Sequence, residues 1–462
     1  MQQIKTKFIT VYTLIFILVY MLFFNDYWKP LHNTSETPFK YDVDQYYSYL
    51  PATFIHHDLD FKFPNVYWLA TAKNGHRVPK MAYGMALMYS PFFALGYKIA
   101  YNQHSPLDGY SEPFKTSVHY GSFFYCLLGL IFLALVLRRF FTDGATALTL
   151  ATIFFATNLF NYTMRDGEMS HAYGFFLISL FLWLTCRWHE RQKSIYFLWI
   201  GMVIGLASLV RPTEILISIV FIGYGIRSFE DLKNKLKQII LSYKNIPLLL
   251  IGFFILWLPQ LIFWKMKTDQ FFFFSYGEET FYWSDPQILN LLFSYRKGWF
   301  VYTPVMIFAI VGLFMLKDKA KNFTLPIIIY MIINIYILSC WWCWWYGGSL
   351  GMRALIQCYA LLAIPMAAFF ERIFSFNFKM QFLTIASKSL VVMCLALFLF
   401  VNQLQTMQFD PAMLHFDSMS KESYWHTFGK FKFDPEDWEQ QQEDLIHPNY
   451  EEAMKGKHRN YK

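Results

Sequence analysis

The chain has 462 residues, 56% hydrophobic and 21% aromatic but only 16% charged, where soluble domains carry about 25% charged residues. That deficit, with apolar runs near the ~20 residues of a bilayer crossing, excludes an ordinary soluble protein and predicts a polytopic membrane protein. The formal charge of +8 is spread over loops between apolar runs, which argues for membrane topology and against a nucleic-acid partner.

The first apolar run, 8–24, follows Lys5 and Lys7 and is followed by Asn25-Asp26-Tyr27-Trp28, with no small-residue cleavage site. It reads as a retained helix. Further spans are expected at 116–137, 145–162, 172–186, 195–210, 213–226, 246–264, 299–316, 323–341, 354–371 and 383–402. The fold class is therefore all-α, with about eleven transmembrane helices, outer-face loops and short juxtamembrane helices. Arg138-Arg139, Arg187/Arg191/Lys193, Arg227 through Lys244, Lys317/Lys319/Lys321 and Arg372/Lys379 all fall on the side of Lys5 and Lys7. Basic short loops mark the cytoplasmic side.

Met81–Tyr101 is apolar but carries Gly84, Pro91 and Gly96. A crossing there would invert every later basic loop, so it reads as re-entrant or as lying on the outer surface. The outer face then receives loops 25–115, 163–171, 265–298 and 342–353. A membrane domain covers 1–402, and an outer-face tail, 403–462, is expected to be ordered near 409–438 and flexible around 451–462. Six cysteines sit mostly inside apolar runs and read as small buried hydrophobes.

Five clusters interrupt this apolar background. Asp42 and Asp44 lie in Tyr-Asp-Val-Asp-Gln-Tyr46-Tyr-Ser-Tyr-Leu. In an extended stretch they would point the same way, and a short helix would begin near Tyr46. A carboxylate with an acid neighbour suits a general base. Arg165-Asp166-Gly-Glu168-Met-Ser-His171 crowds four ionisable groups into a very short loop, and Glu168 and His171 would stack on one helical face. Arg211-Pro212-Thr-Glu214 breaks a helix with an arginine at its end.

Arg296-Lys297 on the outer side opposes the positive-inside trend and suggests an anionic ligand such as phosphate. Trp341-Trp-Cys-Trp-Trp345-Tyr-Gly-Gly-Ser-Leu-Gly-Met-Arg353 fits an interfacial aromatic belt. It runs, however, into glycines whose N–H groups can cradle an anion beside Arg353. His56-His57-Asp58 with Asp60 lacks defined ligand spacing, and Cys340-Trp-Trp-Cys343 lacks a redox context. No Walker A, dinucleotide, zinc-protease or serine-hydrolase motif is present.

With these residues in view the chain resembles the GT-C superfamily of polytopic glycosyltransferases, in its bacterial protein-mannosyltransferase and aminoarabinose-transferase branch. The resemblance is carried by Asp42 with Tyr46-Tyr-x-Tyr-Leu-Pro51, Lys80-x-x-Tyr83-Gly84, Ser90-Pro91-Phe-Phe93 and Glu168-Met-Ser-His171. It continues through Leu209-x-Arg211-Pro212-Thr, Phe293-Ser-x-Arg296-x-Gly298 and Gly347-Gly-Ser-x-Gly351-x-Arg353. It implies inverting transfer of a sugar from a polyprenyl-phosphate carrier to a hydroxyl on a glycan, lipid or protein. It places the reaction on the periplasmic face of a bacterial inner membrane.

The same resemblance makes Asp42 or Asp44 the base. It makes Arg353 with Arg296 phosphate ligands; Lys297 is expected from its place in the outer loop to add positive charge there, and Arg211, Glu168, His171, Tyr46 and Trp345 are candidate further substrate contacts. No cofactor is required, and a divalent metal at Asp42/Asp44 or Glu168/His171 stays open. Family members commonly show adjacent Asp-Glu where this chain has Asp-x-Asp. The rival readings are a lipid-linked-sugar transporter or flippase, and a non-catalytic envelope-glycan assembly protein.

Overall fold

A computed structural model describes residues 8–28, 39–67, 69–241, 243–318, 320–457 and 459. Lys5, Lys7 and Lys319, used above to orient the chain, lie outside them. The structure is mostly helical, with one two-stranded antiparallel sheet, Leu69–Thr71 paired with Arg77–Pro79. Five described helical stretches are long and apolar enough to cross a membrane: Glu112–Leu137, Tyr243–Thr268, Ala320–Cys340, Arg353–Ser375 and Gln381–Phe409.

Of the remaining expected spans, 172–186 lies within one continuous helix, His171–Arg191, of 21 residues; the others are shorter or broken. Phe8–Phe23, Asp143–Phe155 and Ile195–Val210 have 10–17 residues. The run 299–316 is divided into Trp299–Tyr302, Pro304–Met306 and Ile307–Leu313, because Pro304 has no N–H to continue the ladder and Thr303 leaves helical geometry. The run 213–226 begins as a 3-10 turn, Pro212–Ile217, before Ser218–Gly223. The ambiguous 81–101 segment is one helix, Gly84–Asn102, with Pro91 inside it.

The chain divides into two compact units: Met1–Leu31, Leu133–Asn161 and Glu279–Lys462 in the first, His32–Phe132 and Tyr162–Glu278 in the second. In the first unit the helix Tyr359–Ser375 is buried along most of its length and packs on Asp143–Phe155 and Ile307–Leu313. A Cβ on Gly312 would fall on the Pro365 carbonyl, so those two backbones nearly touch. The N-terminus of Phe8–Phe23 is satisfied by Asp143, whose Oδ2 accepts from Ile9 N at 2.9 Å and Thr10 N at 3.3 Å. That supplies partners for groups that a helix start leaves unmet.

In the second unit Ile195–Val210 packs along Ile246–Thr268. The contact is set by Gly201, Gly205 and Gly252, where a Cβ would meet Leu249 O, Phe253 O and Leu198 O respectively. Small residues spaced four apart let membrane helices approach to backbone contact. Gly201→Leu is expected to force the pair apart and cost about 3 kcal/mol or more. Gly144→Ala, at a position with open space around it and no positive φ, should perturb packing far less, and melting temperatures of the two variants in detergent check this.

The tail departs from expectation. Its caps are written in the sequence: Ser420 accepts from Ser423 N, and Asp434 and Asp437 form a reciprocal capping box with Pro435 in the first turn. Asn449 accepts from Glu452 N and starts Tyr450–Met454. The stretch expected to be flexible thus carries a helix. Beyond it Arg459, 2% exposed, donates to Ser339 O, Cys340 O and Trp341 O at 3.0–3.3 Å and to Asp285 Oδ2 at 3.0 Å. A cation at a helix C-terminus meets the carbonyls left over there, and this one ties the tail to the end of Thr324–Cys340.

Candidate functional site

The acidic cluster belongs to the second unit. The helix Asp42–Tyr47 starts at Asp42, earlier than expected, and both carboxylates lie in its first turn, where the helix dipole favours negative charge. Residues two apart on a helix diverge, so the extended arrangement in which they share a direction is not what forms. Asp42 is half-buried. Asp44 is fully buried, and its Oδ2 accepts the Tyr67 backbone N–H at 3.0 Å.

Asp44 therefore closes the segment that returns after Phe54. Its charge also reaches Tyr110, whose phenol is pushed up first by burial and then by Asp44. Tyr46 is buried in the same helix. Gln45 and Tyr49 complete the support: Gln45 Oε1 accepts Lys80 N at 2.6 Å, and Tyr49 donates to Met81 O at 2.9 Å.

The 165–171 loop is also in the second unit. Arg165, Glu168 and His171 are all buried. Glu168 Oε1 lies 3.0 Å from His119 Nδ1, and Tyr89 donates to the Glu168 carbonyl. His171 starts the helix His171–Arg191, its ring edge-on to Tyr162 at 4.6 Å. His119 is thus a partner of the Glu168 carboxylate not expected from the sequence.

His119 escaped the reading of the sequence. Its signal was one imidazole inside the apolar run expected as the span 116–137. Its Nε2 has no hydrogen-bond partner among the described residues. Glu168→Ala is expected to cost about 1–3 kcal/mol by stranding the buried imidazole N–H. Glu168→Gln, which keeps an acceptor, should cost less. A double-mutant cycle with His119→Ala should show coupling of about 0.5–3 kcal/mol in thermal unfolding. Arg211 stands at the start of the 3-10 turn Pro212–Ile217, and its charge acts on the buried Glu214.

The cationic cluster belongs to the first unit. Lys297, 1% exposed, donates from Nζ to Ser349 O and Phe416 O. Arg296 donates to Ile446 O at 2.9 Å and lies over the Trp345 ring at 5.2 Å. Two adjacent cations thus gather the glycine-rich loop and two parts of the tail. Arg353 starts the turn Arg353–Cys358 and remains half-buried. Burial pushes the Lys297 ammonium down to about 7; Asp417 opposes this, and the Arg353 and Arg296 charges add to it. Asp417 is itself disfavoured as an anion by burial, yet His415, Ser418 and Tyr450 hold its carboxyl well below the ordinary range.

The Trp-rich loop is packed inside rather than spread as an interfacial belt. Trp342, Trp344 and Trp345 are buried. Their indoles donate to Glu279 Oε2 at 2.9 Å, Arg459 O at 2.7 Å and Tyr450 Oη at 3.4 Å. Gly351 has a φ of +60°, and a Cβ there would lie 2.7 Å from that of Tyr302, so only glycine fits. Asn158 holds the preceding carbonyl, Leu350 O, at 3.1 Å.

Among the described residues no group of three or more His, Cys, Asp or Glu could hold a metal ion. Asp60 instead meets Lys267 at 2.5 Å. All six cysteines are free, five of them buried.

Apolar helices of bilayer length, with ionisable side chains buried against loops, fit a membrane protein. Residues 114–262 match the family model described as dolichyl-phosphate-mannose-protein mannosyltransferase. Over that stretch, about a third of the chain, the protein is similar to membrane glycosyltransferases of that description. The matched stretch contains His119, Glu168, His171 and Arg211; it includes neither Asp42 and Asp44 nor Arg296, Lys297 and Arg353. No curated protein matches the chain.

Proposed function

We propose that this protein is a membrane glycosyltransferase that moves a sugar from a polyprenyl-phosphate carrier to a hydroxyl acceptor on the outer face of the membrane, with inversion. The observation that carries this reading is the family match over the segment holding the buried His119–Glu168 pair. The apolar helices and the two charged clusters support it. Buried ionisable groups at membrane depth are costly and mark substrate sites.

In the proposed reaction the acceptor oxygen bonds to the anomeric carbon as the bond from that carbon to the phosphate oxygen breaks. The bonding electrons leave with the phosphate, and the acceptor proton passes to a carboxylate. Asp42, the less buried of the two acids, is the proposed base. Arg353, Arg296 and Lys297 supply positive charge for the departing phosphate. Glu168 with His119, His171, Arg211, Tyr46 and Trp345 are the proposed further contacts to the donor. No step needs a metal when guanidinium and ammonium groups carry the charge.

The test is transfer of radiolabel from synthetic polyprenyl-phosphate sugars in membrane vesicles holding the wild type or Arg353→Ala. Label appearing in a glycan, lipid or protein fraction only with the wild type supports the reading. No transfer from any donor, with well-folded protein present, overturns it in favour of a transport or assembly role.

A further inference from the structure

The segment 227–245 takes no part in the proposed reaction, yet it has an unusual build. The helix Phe229–Leu241 is 13 residues long, about 20 Å, too short for a hydrocarbon core of about 30 Å. Phe229, Leu232, Leu236 and Ile240 recur at three- and four-residue steps and fall on one face. That face is turned outward: Phe229 is 82% and Ile240 69% exposed. Among the described side chains of this helix, a lysine is turned inward. Lys235, 6% exposed, lies over the rings of Trp188 and Phe221 at 5.4 and 5.9 Å.

The Lys235 ammonium meets His189 Nε2. His189 Nδ1 is 2.8 Å from Thr185 O, and a carbonyl can only accept, so the proton sits on Nδ1 and Nε2 is free to accept from lysine. A buried cation thus pins the helix from behind. A soluble protein would place this face against its core. Here the polar side is anchored and the apolar stripe is presented.

We infer that Phe229–Leu241 is an interfacial anchor, its Phe229/Leu232/Leu236/Ile240 face inserted among lipids and its flanking lysines bound to anionic headgroups. Charge complementarity selects that occupant. On the helical wheel Lys233 and Lys237 border the stripe, both are exposed, and Arg227 and Lys244 stand beyond the two ends of the helix. A helix with an apolar stripe rimmed by lysine lies in the plane of the headgroups. Each lysine near an anionic surface adds about 1 kcal/mol, or about fivefold in partition. The exposed aromatic Tyr243 follows on the same segment, as expected of a residue at headgroup level.

The test uses the full-length protein in a Cys394→Ser background, since the other five cysteines are buried. A polarity-sensitive fluorophore is placed at Leu236→Cys or, on the opposite face, at Asn234→Cys. The proteins are reconstituted in phosphatidylcholine vesicles with or without phosphatidylglycerol. The Leu236 probe should be quenched by lipids spin-labelled near the headgroup, and the Asn234 probe by aqueous iodide. Phosphatidylglycerol should strengthen the lipid quenching, and Lys233→Gln/Lys237→Gln should weaken that gain about fivefold per lysine removed. Iodide quenching of the Leu236 probe in both lipid mixtures would overturn the inference. So would lipid quenching indifferent to phosphatidylglycerol, because the lysines would then have no lipid role. All four positions are exposed, so folding should persist, and unchanged melting temperatures verify it.

Discussion

Asp42→Asn should lower sugar transfer by about 10²–10⁴-fold, the range for loss of a general base, while thermal stability stays near wild type. Asp44→Asn should do the reverse. Asp42 stands half-buried at the first turn of Asp42–Tyr47, where an amide keeps the shape and loses the basicity. Asp44 is enclosed, and its carboxylate oxygen receives the Tyr67 N–H. Asparagine there trades a charged acceptor for a neutral one and must bury two new donors. The expected cost is about 1–3 kcal/mol, with residual turnover in whatever fraction stays folded. Transfer per folded molecule, with folding read by melting temperature, separates the two. Full activity in well-folded Asp42→Asn with none in well-folded Asp44→Asn would move the base by two residues. Full activity in both would remove the base from this helix.

The sequence exposed these residues because charge stands out against an apolar background. Asp42, Glu168, Arg296 and Arg353 were singled out largely because charge is rare in such a background. What stayed hidden were partners distant along the chain. His119 lies 49 residues before Glu168, in a run whose hydropathy masks one imidazole. Arg459 sits in a polar end that composition reads as solvated, and only its contacts with Asp285 and the 339–342 carbonyls show it to be a structural pin. Helix existence was legible from apolar length; helix continuity was not. The break at Thr303–Pro304 was signalled by proline, but hydropathy averages across such a break. The Trp-rich loop misled differently. Tryptophan is at home in an interfacial belt, and nothing local says that Tyr450 and Arg459 cover it.

Lys297→Met should reveal a cation that works against its own burial. The ammonium is held down to about 7 from an ordinary value near 10.5, burial being the main cause. Between those two pH values the unfolded chain keeps the proton and the folded chain releases it. Stability depends on pH in proportion to the protons bound unfolded minus those bound folded. That difference is positive here, so the Lys297 contribution should rise as pH goes from 7 to about 10 and be lowest below 7. Subtracting the Lys297→Met melting temperature from that of the wild type at each pH cancels groups the two proteins share.

The difference should grow with pH and then level off, the plateau reflecting the lost bonds to Ser349 O and Phe416 O, about 1–3 kcal/mol. A flat difference across pH 7–10 would mean that Lys297 titrates like a solvent-exposed lysine. The same linkage acts on the donor if Lys297 faces its phosphate as proposed. An arriving anion favours the charged ammonium, so binding above pH 7 takes up a proton, and affinity should fall by up to about tenfold per pH unit. Isothermal titration of a polyprenyl phosphate in buffers of different ionisation enthalpy at pH 8 reads that proton directly. Uptake that persists in Lys297→Met would assign it to another group. Uptake lost in Lys297→Met while Arg353→Ala weakens binding but still takes up the proton would make Lys297 the titrating member of the cationic cluster, with Arg353 a fixed charge beside it.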